Sequence, residues 1–343
     1  MHPLNAFRLK KMYLPVIVFS IVGIGISYIL TLLFPRDGFE LDDILIGAVI
    51  GALIMIIIGL YEIFISRHIK IKLPPLALIL FNSIVYFIII TVIAGIIIYL
   101  PEVFFDDGNE EIDISQFLII LLFCFLAIVL VQFILLLNSF FGKGVLANIM
   151  LGRYHKQKNV KLIFMMLDLK SYTSFSEKSG DLEALSYLNN FYDDVSSAAV
   201  ICNGDIYRYV GDEIIITWPM KTKKENAKCI KCFYLIKDII ERKSAYYKKR
   251  YGVVPRFRTG LHVGPVVIGQ LGSIKREITY IGDVINTTSR VEEICKETET
   301  DILVSGDLLK EIDLGDSLCV KNEYKMNLRG KEREVILYSI ERK

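Results

Sequence analysis

Tryptophan occurs once in 343 residues, histidine four times and cysteine six times, and the formal net charge is only +2. These scarcities exclude several chemistries. His2, His68, His155 and His262 are dispersed and make no ligand cluster. The six cysteines are scattered and give no disulfide framework. Cys229 and Cys232 form a CxxC, but they fall in a helical pattern with Ala227, Ile230, Phe233, Ile236 and Ile240. No second cysteine pair lies nearby, so packing is the reading rather than zinc or redox chemistry. No nucleic-acid partner is expected.

Long apolar runs, by contrast, are abundant and unevenly placed. Four fill the first 137 residues, at 14–34, 44–65, 76–100 and 116–137. Each is about 20 residues or more, enough to cross a ~30 Å hydrocarbon core. A buried core helix rarely stays apolar on every face for so long. The first run has a basic start but no small-x-small cleavage site after it, which argues against a removed signal peptide. Charge alternates between the runs. Arg8, Lys10 and Lys11 precede the first; Asp37, Glu40, Asp42 and Asp43 follow it. Arg67, Lys70 and Lys72 come next, then Glu102, Asp106, Asp107, Glu110, Glu111 and Asp113, and finally Lys143, Arg153, Lys156, Lys158 and Lys161. Basic loops stay cytoplasmic. The expectation is a multi-pass protein of the inner or plasma membrane with both termini in the cytoplasm and the lipid bilayer as a partner. Glu62, Asn82, Gln132 and Asn138 are the polar exceptions in or beside the spans, and Asn82 and Gln132 fit bridging between helices.

Three regions follow: a four-helix transmembrane region at 1–137, a membrane-proximal linker at 138–160, and a soluble domain at 161–343. Gly142, Gly144 and Gly152 interrupt the linker, and Val145, Leu146, Ile149 and Met150 suit a short amphipathic helix at the membrane surface. The soluble half alternates. Strands are predicted at 162–167, 204–209, 214–218, 256–268, 276–281, 302–304 and 335–340, and helices at 181–200, 224–249 and 283–297. That order suits an α+β sheet with helices on one face.

Two carboxylates stand out, 44 positions apart. Asp168 ends the apolar run 162–167, and Asp212 sits in Gly211-Asp212-Glu213 between two short strands. Mg²⁺ wants hard oxygen ligands and usually takes one or two carboxylates, leaving the rest to water and substrate phosphate. Asp212 beside Gly211 also fits a plain hairpin turn; Asp168, directly ending a buried strand, does not fit a turn so readily. Farther on, Asn286 and Arg290 are four apart on the predicted helix and share a face. Two metal-binding carboxylates and an Asn/Arg pair suit phosphoryl chemistry on a nucleotide; a solvated helix face is the alternative for the pair.

Four pieces, in order, carry a resemblance. They are Met166-Leu167-Asp168-Leu169 with Tyr172-Thr173; Gly211-Asp212-Glu213; Gly260-Leu261-His262-Val263-Gly264 through Gly269; and Gly282-Asp283-Val284-Ile285-Asn286 with Ser289-Arg290. Together, over residues 161–340, they resemble the class III nucleotidyl (adenylate/guanylate) cyclase catalytic domain. The resemblance implies a ferredoxin-like α+β core behind an α-helical transmembrane bundle. It implies two Mg²⁺ or Mn²⁺ ions per active site, held by Asp168, Asp212 and the Leu169 backbone carbonyl. Asn286 would orient the ribose and Arg290 would stabilise the reacting phosphate. The basic stretch at 327–331 resembles a late triphosphate contact, through Arg329 or Lys331, or else is a charged turn. Two family positions read the purine, and they fall on Arg208 and Thr279. Thr279 fits the adenine-reading subclass; Arg208 departs from the lysine usual there but keeps its positive charge. The substrate implied is ATP, giving cyclic AMP and pyrophosphate for intracellular signalling, with a guanylate cyclase or a degenerate nucleotide-binding membrane sensor as alternatives. In the family the site lies between two catalytic domains. One such domain per chain therefore implies a head-to-tail homodimer.

Overall fold

A computed structural model describes residues 56–58, 60–61, 74–105, 114–141, 145–153, 156–326 and 334–343. The chain divides into two compact units, Met1–Phe141 and Gly142–Lys343.

In the first unit, helices α1 (Pro75–Phe105) and α2 (Ile114–Phe141) coincide with the third and fourth apolar runs. Their polarity is inverted relative to a soluble bundle. Asn82, Ser83 and Gln132 are buried, while Leu80, Ile84 and Ile88 of α1 and Leu122, Leu126 and Leu130 of α2 are exposed. Asn82 accepts a hydrogen bond from the Tyr61 hydroxyl at 2.9 Å, so it does bridge two segments, as its position suggested. Among the described residues, one stretch, Pro75–Ile93, is long and apolar enough to cross a membrane. The first run, most of the second, and Glu62 lie outside the described residues, as does the side chain of Asn138.

The second unit opens with the short helix α3 (Val145–Met150), inside the predicted linker. Strand β1 (Lys158–Leu169) then begins four residues earlier than its apolar run, because β4 (Phe257–Leu271) pairs with it from Lys158↔Ile268 to Leu169↔Phe257. Between them come α4 (Tyr172–Ser179), α5 (Asp181–Ile201), β2 (Asp205–Val210), β3 (Glu213–Pro219), α6 (Lys223–Asn226), α7 (Lys228–Arg242) and α8 (Ser244–Tyr251). After β4 follow β5 (Glu277–Ile281), α9 (Asp283–Glu297), β6 (Ile302–Ser305), α10 (Gly306–Leu309), β7 (Leu318–Met326) and β8 (Val335–Arg342). The sheet order is β2-β3-β1-β4-β6-β8-β7, with β5 paired to β4. Its first four strands, with α5 after β1 and α7 after β3, have βαββαβ connectivity.

Helices cover both faces, which corrects the one-face expectation. Alternation sends Leu162, Phe164 and Met166 one way, where they pack with Val284 of α9. Ile163, Met165 and Leu167 point the other way and are fully buried. Phe257 lies opposite Leu169 on that second face and meets Phe191 of α5 and Phe233 of α7. The two core helices share a face as expected; α9 takes the other. It can lie so close to β4 because of Gly260, where a Cβ would come within 2.4 Å of the Glu292 backbone nitrogen.

The single helix predicted over 224–249 is three. At Lys243 (φ −92°, ψ 6°) the backbone leaves the helix, and its N–H is shared between the carbonyls of Ile239 and Ile240. The turn aims α8 so that Tyr247 is buried and donates to Asp194 at 2.7 Å, beside the Lys243–Asp194 ion pair. Strand β7 was not predicted: its exposed, charged residues follow an edge strand, whose outer side needs no apolar pattern.

Candidate active site

Asp168 lies where three strands meet. Register sets Glu213 of β3 opposite it on one side and Arg258 of β4 on the other. Asp212 comes from the two-residue loop of the β2–β3 hairpin. The first loop residue, Gly211, takes φ +60°, a conformation glycine adopts without strain. The Tyr192 hydroxyl of α5 ties this hairpin down, 2.8 Å from the Gly211 carbonyl.

The two aspartates are brought together. Burial, and then the Asp168 charge, hold the Asp212 carboxyl above its ordinary range. Glu213 is pushed up to about 7, first by burial and then by Glu292, Asp168 and Asp212. Glu292 of α9 is raised by burial and by Asp168. Four carboxylates thus crowd one end of the sheet. Among the described residues one guanidinium reaches into them: Arg258 pairs with Asp168 through Nη2 and donates from Nε to Glu292 at 2.9 Å.

This donor set fits a hard divalent cation. Oxygen ligands are present, and burial together with the neighbouring negative charge raises the proton affinity of Asp212, Glu213 and Glu292; a dication would relieve the charge. Among the described residues no group of three or more His, Cys, Asp or Glu forms a complete cage. An ion at Asp168 and Asp212 would take its other ligands from backbone, water and substrate. Leu169, whose carbonyl was the third expected donor, is the buried last residue of β1.

The second cluster gathers Arg208 and Thr279. Thr279 pairs with Gly269, eleven residues along β4 from Arg258, so the two clusters are carried by opposite ends of that strand. Arg208 lies 3.3 Å from Glu277, and its guanidinium carbon is 5.2 Å from the centroid of the Tyr207 ring. Tyr207 stacks on Tyr280 at 4.2 Å with 5° between the planes, and its hydroxyl is 3.3 Å from Thr279 Oγ1.

Asn286 and Arg290 occupy α9, whose inner face buries Val284, Thr287, Thr288 and Val291. Asn286 is exposed and Arg290 half-buried. Arg329 and Lys331 lie outside the described residues. Cys229 and Cys232 are fully buried on α7, as the packing reading required. Sequence reasoning missed Arg258, Glu292 and Tyr207. Arg258 left one signal, the lone formal charge of its strand; its partner needed the register.

The family model described as "Adenylate and Guanylate cyclase catalytic domain" matches residues 153–342. Adenylate cyclase 2 of Rhizobium meliloti (strain 1021) is 31% identical over 277 residues, covering 78% of this chain and 76% of that protein. The adenylate cyclase of Anabaena cylindrica is 24% identical over 187 residues, 52% of this chain and 36% of that longer protein. In fold alone, a bacterial light-regulated adenylyl cyclase superposes with a TM-score of 0.53 at 16% identity, over 68% of this chain and 66% of that one.

Proposed function

The chain belongs to the adenylate and guanylate cyclase catalytic-domain family, and we propose that it is a membrane-anchored adenylate cyclase working as a head-to-tail homodimer. The ribose 3′-oxygen of ATP attacks the α-phosphorus, the bond to the bridging oxygen breaks, and cyclic AMP and pyrophosphate result. The observation that carries this reading is the split of the functional residues into two clusters at opposite ends of β4. Asp168 and Asp212 belong to one, Arg208 and Thr279 to the other. A partner chain running head to tail sets the first cluster of one protomer against the second of the other, with two equivalent sites per dimer.

Asp168, Asp212 and the Leu169 carbonyl would hold two Mg²⁺ or Mn²⁺ ions, which neutralise phosphate charge and make the attacking hydroxyl more acidic. Asn286 orients the ribose. Arg290 puts its fork on the phosphate oxygens as charge builds. Arg208 and Thr279 read the base, and Arg329 or Lys331 grips the triphosphate. Adenine is favoured because Thr279 offers an acceptor to its exocyclic amine and because relatives named adenylate cyclase align across this chain. Purified full-length protein given ATP or GTP with Mn²⁺ should yield cyclic AMP as its main product. Faster turnover of GTP would make it a guanylate cyclase; no cyclic product from either would make it a nucleotide-binding sensor.

The anchor comprises residues 1–137, joined through a linker at 138–160 to the catalytic region 161–343. Polar-in, apolar-out packing of α1 and α2 supports a lipid environment. A reporter fused after Lys343 should behave as cytoplasmic and one inserted beside Asp107 as external. The reverse result rules out the four-span orientation.

A further inference from the structure

Tyr207 is half-buried on β2 and packs against the sheet core beside Tyr280 and Ile268. Three of its contacts converge on the base-reading cluster. Its ring stacks on Tyr280, it carries the Arg208 guanidinium over its face, and its hydroxyl lies between two groups of β5. That hydroxyl accepts the Tyr280 backbone N–H at 3.1 Å, which fixes the phenol oxygen against the strand. The same oxygen is 3.3 Å from Thr279 Oγ1, and either hydroxyl can be the donor in that contact.

A free threonine hydroxyl does not discriminate between purines. By rotating, it accepts from the C6 amine of adenine or donates to the C6 carbonyl of guanine. A hydroxyl whose proton is already committed can only accept. We propose that Tyr207 is a positioning residue for base selection: its oxygen accepts a hydrogen bond from the Thr279 hydroxyl as well as from the Tyr280 N–H, its own proton turns outward to water, and Thr279 is left an acceptor toward the substrate, matched to adenine and mismatched to guanine. Tyr207 acts through Thr279 and does not touch the nucleotide. The proposal rests on the reading of Thr279 as a base contact in an adenylate cyclase.

Tyr207→Phe keeps the ring, the stack and the cation–π contact and removes only the oxygen. The freed Thr279 proton can then serve guanine. The kcat/KM ratio of ATP over GTP should fall about 3- to 10-fold, the span of one neutral hydrogen bond. Because the base is held alike in ground and transition states, the change should fall on KM rather than kcat. General damage would lower both nucleotides together and leave the ratio alone. The control is Thr279→Ala in full-length protein: in that background Tyr207→Phe should no longer move the ratio. A ratio that stays or rises on Tyr207→Phe, while Thr279→Ala changes it, overturns the proposal. So does an equal fall in both backgrounds. If Thr279→Ala itself leaves the ratio unchanged, or the wild type makes no cyclic AMP, the underlying base-reading assignment fails and takes the proposal with it.

Discussion

Co-expression of Asp168→Ala and Arg290→Ala chains should restore cyclase activity that neither variant has alone. In the proposed site each substitution would remove one electrostatic contact to the reacting groups, and such a loss typically costs ~10²–10³ in rate. In the proposed head-to-tail dimer a homodimer of either variant carries that lesion in both sites, because every site would take its Asp168 from one chain and its Arg290 from the other. The mixed dimer is different. One of its sites collects both lesions. The other draws Asp168 from the Arg290→Ala chain and Arg290 from the Asp168→Ala chain, and is intact. Full mixing should return about half the wild-type rate per dimer, and random pairing about a quarter, since only half of the dimers are then mixed. Cyclic AMP formation by membranes carrying both tagged chains measures this directly. Heterodimers recovered through both tags yet still inactive would sink the shared-site arrangement.

What the sequence made legible here was whatever depends on local order. Asp168 ends a run of six buried residues, and a continuous apolar run that long signals a central strand whatever its neighbours are. Gly211-Asp212 reads as a hairpin because φ +60° at the first loop position calls for glycine. The Asn286/Arg290 spacing needs only the helical period. The illegible part depends on which strands meet. That Arg258 and Glu213 flank Asp168 follows from β1 pairing with β4 and β3 at one register, and a shift of one residue would have put other side chains there. Tyr207 reaches Thr279 only because β2 and β5, 72 residues apart at these positions, meet across the fold. The break at Lys243 likewise answers to Asp194 on α5, not to any glycine or proline within 224–249. In the N-terminal half the apolar runs announced α1 and α2, but the inward facing of Asn82, Ser83 and Gln132 is a property of packed helices.

Arg258→Ala should destabilise the catalytic domain as well as weaken the reaction. Arg258 and Asp168 are each 19% exposed and Glu292 is 9% exposed, so this is a partly dried cluster rather than a surface pair. Removing one partner of a buried ion pair typically costs ~3–5 kcal/mol, because the remaining charge stays buried and unpaired. The residual exposure puts Arg258 toward the lower end. Thermal unfolding in EDTA should show a clear fall in Tm, and saturating Mn²⁺ should recover more of the loss in the variant than it adds to wild type. A ligand at 100 times its Kd stabilises by about 2.7 kcal/mol, and its charge replaces the missing guanidinium. Glu292→Gln then separates charge from packing. With Arg258 present, the substitution weakens the Nε–Oε1 bond and should destabilise. In the Arg258→Ala background the same substitution removes one of four mutually repelling carboxylates, and it should stabilise. The sign must therefore reverse between backgrounds. If Glu292→Gln lowers Tm equally in both, Arg258 is not the counter-ion of the acidic cluster, and its contacts with Asp168 and Glu292 only fill space.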